Sequence, residues 1–424
     1  MGGSLTPNTN ITVDQDEVVA LALELGNIDS PTGDEGPAGE FVYDWLVGNG
    51  FLAKKIGMFE DRFNVLGTLP GTSDYGYSLI FNSHYDTGKH GHDVWSLRNA
   101  DDPIYHSAWR DGDILYGEGI VNDKGPMAAF LVAANTIKRS GIELKGDLLV
   151  SAVPGEIGIE PVDEFQSPKY LSKEVGARFL VQHGGVADYA LIAEGTDFKA
   201  AWIEAGKAFF KITVHGDKQF YTPFAPDVEV DSQHPNAIVR AAYLIPQLQE
   251  WGREYERRNR YESDGGTVVP KVTIGAVRGG NAYHVTRTSE LCAIYLDVRL
   301  VPKQDPLAVR TELRRILRKA GIPGEVELFL YRRSYEADEP GALLECLRES
   351  HDEVVGGRLE IADYPFSSMW RDISIFNEMG IPAITYGPGV AVRGGLSVRI
   401  QDLALAAQVY ADVAVRLCSR EKSL

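Results

Sequence analysis

Apolar positions recur at two periods along the chain. Between residues 13 and 28, Val18, Val19, Ala22, Leu23 and Leu25 fall on one helical stripe. Asp14 precedes that stripe, where a carboxylate caps a helix start. Ser30-Pro31-Thr32-Gly33 reads as a turn, and Phe41, Trp45 and Leu46 mark a second amphipathic helix. From residue 60 to 200, short apolar runs alternate with helical patterns. SLIFNSHYD (78–86), DLLVSAVPG (147–155) and DYALIAEG (188–195) predict buried strands, with a helix over 127–141 between the first two. Strand–helix–strand alternation with near-continuous apolar strands predicts an α/β fold, a mostly parallel sheet with helices on both faces.

The pattern changes near residue 206. AFFKITVHG, KVTIGAVRGG and CAIYLDVRL alternate apolar with polar, as half-exposed strands do, and helical stretches occupy about 236–259 and 306–320. These elements predict a compact α+β unit, two helices on a mainly antiparallel sheet. After about residue 338 the α/β character returns with the strand IPAITYGPG and the closing helix DLALAAQVYADVAVRLC. The expectation is a second domain inserted into a discontinuous first one.

Composition narrows the partners. The chain has 424 residues, with 42 basic and 60 acidic side chains and a net charge of −18. That balance argues against nucleic acid or an anionic membrane as partner, since both need basic patches. No apolar run approaches the roughly 18 residues that span a bilayer. The start Met1-Gly2-Gly3-Ser4-Leu5-Thr6 fits the permissive myristoylation pattern, with a flexible tail as the plain alternative. Cys292, Cys346 and Cys418 form no paired motif, so a disulfide scaffold is not expected and a reducing cytoplasm is.

Candidate chemistry collects at the C-terminal ends of the predicted parallel strands, where ligands of open α/β sheets bind. His84 and Asp86 close the first strand and, two apart, share a face. Asp86 can therefore orient the imidazole, as carboxylates behind metal-bound histidines do. Glu156 follows the strand at 147–155, and Glu194 closes the one at 188–195. Singly, such residues are ordinarily solvated or satisfied polar groups. Together, at one sheet edge, they suit a divalent metal such as zinc or manganese. The turn Gly117–Pro126 with Lys124 lacks the third glycine of a dinucleotide loop, and its lysine precedes the glycine, unlike a phosphate loop.

With these motifs in order, the chain resembles the co-catalytic metallopeptidase family of aminoacylase, acetylornithine deacetylase, succinyl-diaminopimelate desuccinylase and glutamate carboxypeptidase. The matching stretches are Ser30–Gly33, His84-Tyr85-Asp86, Lys124-Gly125, Glu156-Ile157-Gly158, Glu194-Gly195-Thr196, Asn236-Ala237-Ile238, Asp297-Val298-Arg299 and Tyr386–Gly389. The resemblance implies a catalytic α/β domain over 1–205 and 336–424 and an inserted lid and dimerisation domain over 206–335. It also implies a homodimer or higher homo-oligomer.

Departures from the family pattern carry as much meaning. The family's bridging aspartate falls on Asn122, with Asp123 beside it, and the resemblance leaves open which of the two ligates. Its general-base glutamate falls on Gly155, while the following ligand glutamate is kept as Glu156. Its last histidine is missing, because 390–395 reads VAVRGG and no histidine follows His351. The family's lid histidine falls on Phe220. His84, Glu156, Glu194 and Asn122 or Asp123 still suffice for one divalent ion, manganese or zinc, with a second left open.

An insertion, Ile159–Val175, follows ligand Glu156, and Glu160, Asp163 or Glu164 within it are candidates for the missing base; a solvated acidic loop is the plain alternative. Phe165 of the same insertion is a candidate for substrate contact. For a substrate carboxylate, Arg287, Arg299, Arg371 and Arg393 are candidate anchors, and His284 falls where the family has a substrate-contacting asparagine. Phe220, Tyr221, Tyr283 and Trp370 suggest a flat, aromatic substrate, with core packing as the alternative. The expected activity is metal-dependent hydrolysis of a C–N bond in a small carboxylate-bearing molecule, an aryl amine replaced by hydroxyl with release of ammonia. The alternatives are a deacylase or dipeptidase acting on N-acyl amino acids, and a non-catalytic binding protein on the same fold.

Overall fold

The computed structural model describes residues 11–88, 102–337, 340–389 and 396–422. The N-terminal acylation pattern and the VAVRGG stretch with Arg393 lie outside these residues. The chain divides into two compact units, Met1–Trp202 with Glu336–Ala362 and Arg371–Leu424, and Ile203–Tyr335 with Asp363–Trp370. Residues 363–370, grouped with the first domain from sequence, are part of the second unit by contact.

The first unit is built on six strands: β1 (Leu52–Phe59), β2 (Arg62–Leu69), β3 (Leu79–His84), β4 (Leu148–Val153), β5 (Tyr189–Ala193) and β6 (Ala383–Tyr386). Their spatial order is β1-β2-β4-β3-β5-β6. β4, β3, β5 and β6 pair in parallel, while β2 runs antiparallel to both its neighbours. Among the described residues, seven α-helices accompany the sheet: α1 (Gln15–Gly26), α2 (Gly36–Gly48), α3 (Gly125–Ser140), α4 (Ala177–Gln182), α5 (Gly341–Val354), α6 (Ile373–Glu378) and α7 (Ile400–Cys418).

Successive side chains of a strand point to opposite faces, and the parallel strands use both. Phe81, Val150 and Leu191 enter the core formed with α1, α2, α3, α5 and α7. Their neighbours Ile80, Leu149 and Ile192 enter a smaller core with Leu180 and Val181 of α4 and Ile373 and Phe376 of α6. Burial on both faces explains why β3, β4 and β5 read as near-continuous apolar runs. The Asp14 side chain caps α1 by accepting from the Asp16 backbone at 2.9 Å.

The second unit carries a four-stranded antiparallel sheet of Gly206–His215, Val272–Gly279, Leu291–Leu300 and Gly324–Arg332. Ala237–Asn259 and Pro306–Ala320 are its helices, with Leu244, Leu248, Leu313 and Leu317 in its core. Cys292, Cys346 and Cys418 are free and buried. Among the described residues, no helix is long and apolar enough to cross a membrane.

Candidate metal centre

The side chains that frame the centre stand at or just beyond strand ends, or at a helix start, of the first unit. β3 delivers His84 at its last residue, with Asp86 two further on. Glu156 follows β4, Glu194 follows β5, and Arg371 and Asp372 immediately precede α6. Asn122 and Asp123, joined by a cis peptide bond, lie in the kinked turn that opens α3.

His84, Asp123 and Glu194 bring one ligand atom each within 4.8 Å of one another, and all three are buried. His84 Nδ1 lies 3.0 Å from the Asp86 main-chain carbonyl and 3.4 Å from Asp86 Oδ1. A proton on Nδ1 donated to that carbonyl leaves Nε2 as the free ligand nitrogen. Asn122 Oδ1 lies 3.1 Å from Nε2. Two ligand atoms each about 2.1 Å from one ion stand about that far apart, so the amide oxygen and the imidazole can share a cation. Ser83 Oγ donates to Asp123 Oδ2 at 2.7 Å. Asp123 Oδ1 is buried and has no hydrogen-bond partner among the described residues, an arrangement costly for a carboxylate unless a cation meets it. A neutral imidazole with two carboxylates is a donor set that fits a divalent ion.

The protonation equilibria agree. Burial disfavours a charge on His84, yet hydrogen bonding to Asp86 and the field of Glu156 and Asp123 raise its pKa well above the usual histidine range. Burial and the neighbouring Glu194 push Asp123 well above the ordinary carboxylate range. Both groups are held at the expense of unbalanced negative charge, which a cation would relieve.

Asp86 does more than face the imidazole. Its Oδ1 accepts from the Glu156 backbone N–H at 3.0 Å, and Oδ2 accepts from Ile157 N–H at 3.0 Å and Thr32 Oγ1 at 2.8 Å. Burial alone would raise its pKa, but the bonds from His84, Glu156 and Thr32 hold it below the usual value. One carboxylate thus fixes the ends of two parallel strands and the Ser30–Gly33 turn.

Glu156 Oε2 lies 3.8 Å from His84 Nε2, at the margin of the group. Its Oε1 is 2.5 Å from the Lys173 ammonium, which also contacts Asp372 Oδ1 at 3.0 Å. Glu194 Oε2 lies 3.1 Å from Arg371 Nε. Lys173 and Asp372 were not among the sequence candidates. No local signal marks them, since a lysine in a polar insertion ordinarily reads as solvated and its partners lie 17 and 199 residues away.

The insertion places its residues unevenly. Glu160 accepts from Ser172 Oγ at 2.7 Å, while Asp163, Glu164 and Phe165 stand on an exposed turn. Gly155 has φ +72°, and a Cβ there would lie 2.6 Å from the Ser172 carbonyl oxygen. The position expected for a base is therefore closed to any side chain in this backbone.

Other candidates belong to the second unit. Arg287 stacks over Tyr221, its Cζ 4.6 Å from the ring centroid, and donates to Gln219 Oε1 at 3.2 Å. Arg299 pairs with Asp297 at 3.0 Å. His284 and Tyr283 are exposed, and Lys207 Nζ lies 5.4 Å from the Trp370 ring centroid. Phe220 is half-buried, with Lys218 Nζ 5.4 Å from its ring.

The profile of Peptidase family M20/M25/M40 matches residues 80–416. The N-formyl-4-amino-5-aminomethyl-2-methylpyrimidine deformylase of Bacillus subtilis (strain 168) is 26% identical, over 96% of each chain. Carboxypeptidase G2 of Pseudomonas sp. (strain RS-16) is 25% identical, over 95% of this chain and 90% of that protein. Among solved structures, the M20 family metallo-carboxypeptidase Sso-CP2 from Sulfolobus solfataricus superposes with a TM-score of 0.69 at 16% identity, over 95% of this chain and 99% of that one.

Proposed function

The chain belongs to peptidase family M20/M25/M40, whose members are metal-dependent hydrolases of C–N bonds, and we propose that it hydrolyses an aryl C–N bond in a small aminoaromatic carboxylate. The reaction is that of 5-nitroanthranilate aminohydrolase, which the chain resembles in joining full-length similarity to an altered site. Water and the aryl amine give the hydroxyarene and ammonia.

The observation that carries this reading is Gly155. A family base cannot be housed where its Cβ would meet the Ser172 carbonyl at 2.6 Å, which supports a chemistry other than ordinary amide cleavage. A divalent cation on His84, Asp123 and Glu194 would polarise a water and a substrate oxygen. The chain's own groups do the rest. Asp86 holds His84 in the tautomer that presents Nε2, and half-buried Glu160, or Asp163 or Glu164 of the same insertion, serves as proton acceptor for the attacking water. Attack on an electron-poor ring spreads negative charge into the ring and its nitro group, where guanidinium groups stabilise it. Arg371, beside Glu194, is assigned to that charge; for the substrate carboxylate, Arg287, Arg299 and His284 are the candidates that the family resemblance offers. One manganese or zinc ion per chain and association into a homodimer or larger homo-oligomer complete the proposal.

Deformylation or deacylation of an N-acyl amine is the second reading, favoured by the 26% identity to the pyrimidine deformylase across the full chain. Incubation of the metal-loaded protein with 5-nitroanthranilate, with N-formyl amines and with N-acyl amino acids separates the two. Ammonia release that is lost in His84→Ala is the expected result. Formate or free amino acid released instead, with nitroanthranilate unchanged, overturns the aryl-amine reading.

A further inference from the structure

Lys173 is fully buried, as lysine almost never is unless paired. Its Nζ bridges two buried carboxylates, 2.5 Å from Glu156 Oε1 and 3.0 Å from Asp372 Oδ1. Asp372 Oδ2 in turn accepts from Asn82 Nδ2 at 3.0 Å. We propose that the Lys173 ammonium stands in for a second cation in this centre and limits it to one divalent ion. The inference rests on the metal-centre reading above and concerns only how many ions that centre takes.

Space is the first argument. An ion ligated by Glu156 Oε1 would stand about 2.0–2.2 Å from that oxygen, and the ammonium nitrogen already occupies that shell. Glu156 Oε2 keeps its place 3.8 Å from His84 Nε2. Glu156 therefore turns one oxygen towards the His84 group and commits the other to lysine.

Charge is the second. Two buried carboxylates without a counter-charge would be neutralised by protons rather than tolerated as anions. The ammonium lies against both, 2.5 Å from Glu156 Oε1 and 3.0 Å from Asp372 Oδ1, and supplies that counter-charge. The requirement that a second metal would meet is already met by the chain.

Rigidity is the third. The insertion that carries Lys173 is fastened on both sides of it. Arg62 donates to the Leu171 carbonyl at 3.0 Å and to the Pro168 carbonyl at 2.5 Å, and Asn64 Nδ2 donates to the Val175 carbonyl at 2.8 Å. Arg62 itself is held by Glu35 at 2.6 Å, both buried. A lysine on a free loop could withdraw to admit an ion, whereas this one is bound at its backbone.

The test loads the full-length protein with excess Mn²⁺, removes unbound metal, and reads metal per chain by elemental analysis together with the electron paramagnetic resonance spectrum. The wild type is expected to hold one equivalent, with the resolved hyperfine pattern of an isolated ion. Lys173→Met, which removes the charge at similar volume, is expected to gain a second equivalent and the broadened spectrum of two coupled ions. Lys173→Arg, keeping the charge, is expected to remain at one. Two equivalents in the wild type, or one in a folded Lys173→Met at saturating metal, overturn the proposal. The wild-type count decides even if the methionine variant does not fold. Absence of bound metal from the wild type would instead remove the metal-centre reading and this proposal with it.

Discussion

The Asp86 carboxylate accepts a hydrogen bond from the backbone N–H of Glu156 at 3.0 Å, joining the ends of two neighbouring parallel strands. The bond makes one residue responsible for both the histidine ring and the glutamate turn. Asp86→Asn keeps the shape but offers one acceptor oxygen, so the amide nitrogen would face either the Ile157 or the Glu156 N–H. Losing such a partner behind a ligand typically costs about 10–100-fold in metal affinity. Isothermal titration with Mn²⁺ or Zn²⁺ is expected to show a drop of that size in a folded Asp86→Asn protein. Unchanged affinity would remove Asp86 from any role in holding His84.

Gly155 predicts a stability effect. Its φ of +72° suits glycine, and the Ser172 carbonyl leaves no room for a Cβ. Gly155→Ala is expected to lose about 1–3 kcal/mol, from left-handed backbone strain and overlap together. Gly155→Glu should lose at least as much, and should not create a base in the ordinary family position. Urea denaturation measures the first effect, and amide hydrolysis assays the second. A glutamate variant as stable as wild type would mean that the insertion yields readily.

The strand ends were legible in the sequence because their chemistry is local. His84, Glu156 and Glu194 each follow an apolar run whose burial on two faces is written in its composition. Asn122 and Asp123 were legible as a pair but not as a choice, since the structure brings both beside His84 by a kink that no periodicity encodes. Lys173 was not legible. Its burial depends on Glu156 and Asp372, 17 and 199 residues away in sequence, and a lysine in a polar insertion ordinarily reads as solvated. The strand Gly324–Arg332 went unread because its Glu325 and Glu327 break the apolar signal directly after a helix. The β1 edge is hard to read for a related reason: all of its side chains are exposed or half-buried, so it has no apolar run.

Lys124 supplies a pH dependence. Its ammonium is buried and donates to the Ile28 carbonyl at 2.6 Å. Burial lowers its pKa to about 8, against the opposing pull of Asp29, Asp86 and Glu118. In the unfolded chain a lysine titrates near 10.4. Between those values the unfolded state binds more protons, so this residue makes stability rise with pH, by up to about 3 kcal/mol at the top of the window. Below about pH 8 the residue is charged in both states and contributes no slope. Buried Tyr85 and Tyr410 have raised pKa values and act in the opposite sense at high pH. The comparison must therefore be a difference: the stability of wild type minus Lys124→Met is expected to grow between pH 8 and 10, by urea denaturation. A constant difference would contradict the lowered pKa.

Arg62 links the sheet to the insertion and so to the metal centre. Its guanidinium forks onto Glu35, with Nη2–Oε1 at 2.6 Å and Nε–Oε2 at 2.7 Å, while its other bonds reach the Pro168 and Leu171 carbonyls. Removing one member of a buried pair leaves the other charge uncompensated, a loss of about 3–5 kcal/mol. Arg62→Ala is expected to lose stability of that order. Arg62→Lys should recover only part, because an ammonium cannot reproduce the fork and reach both carbonyls. The double variant Arg62→Met/Glu35→Leu separates the two roles, since it removes the pair without leaving a lone charge. That protein should regain much of the stability yet leave 168–171 unfastened. Limited proteolysis within the insertion would then be faster than in wild type while global unfolding is little changed. Equal proteolysis rates would show that the insertion is held by its packing on Gly155 and Glu156 rather than by Arg62.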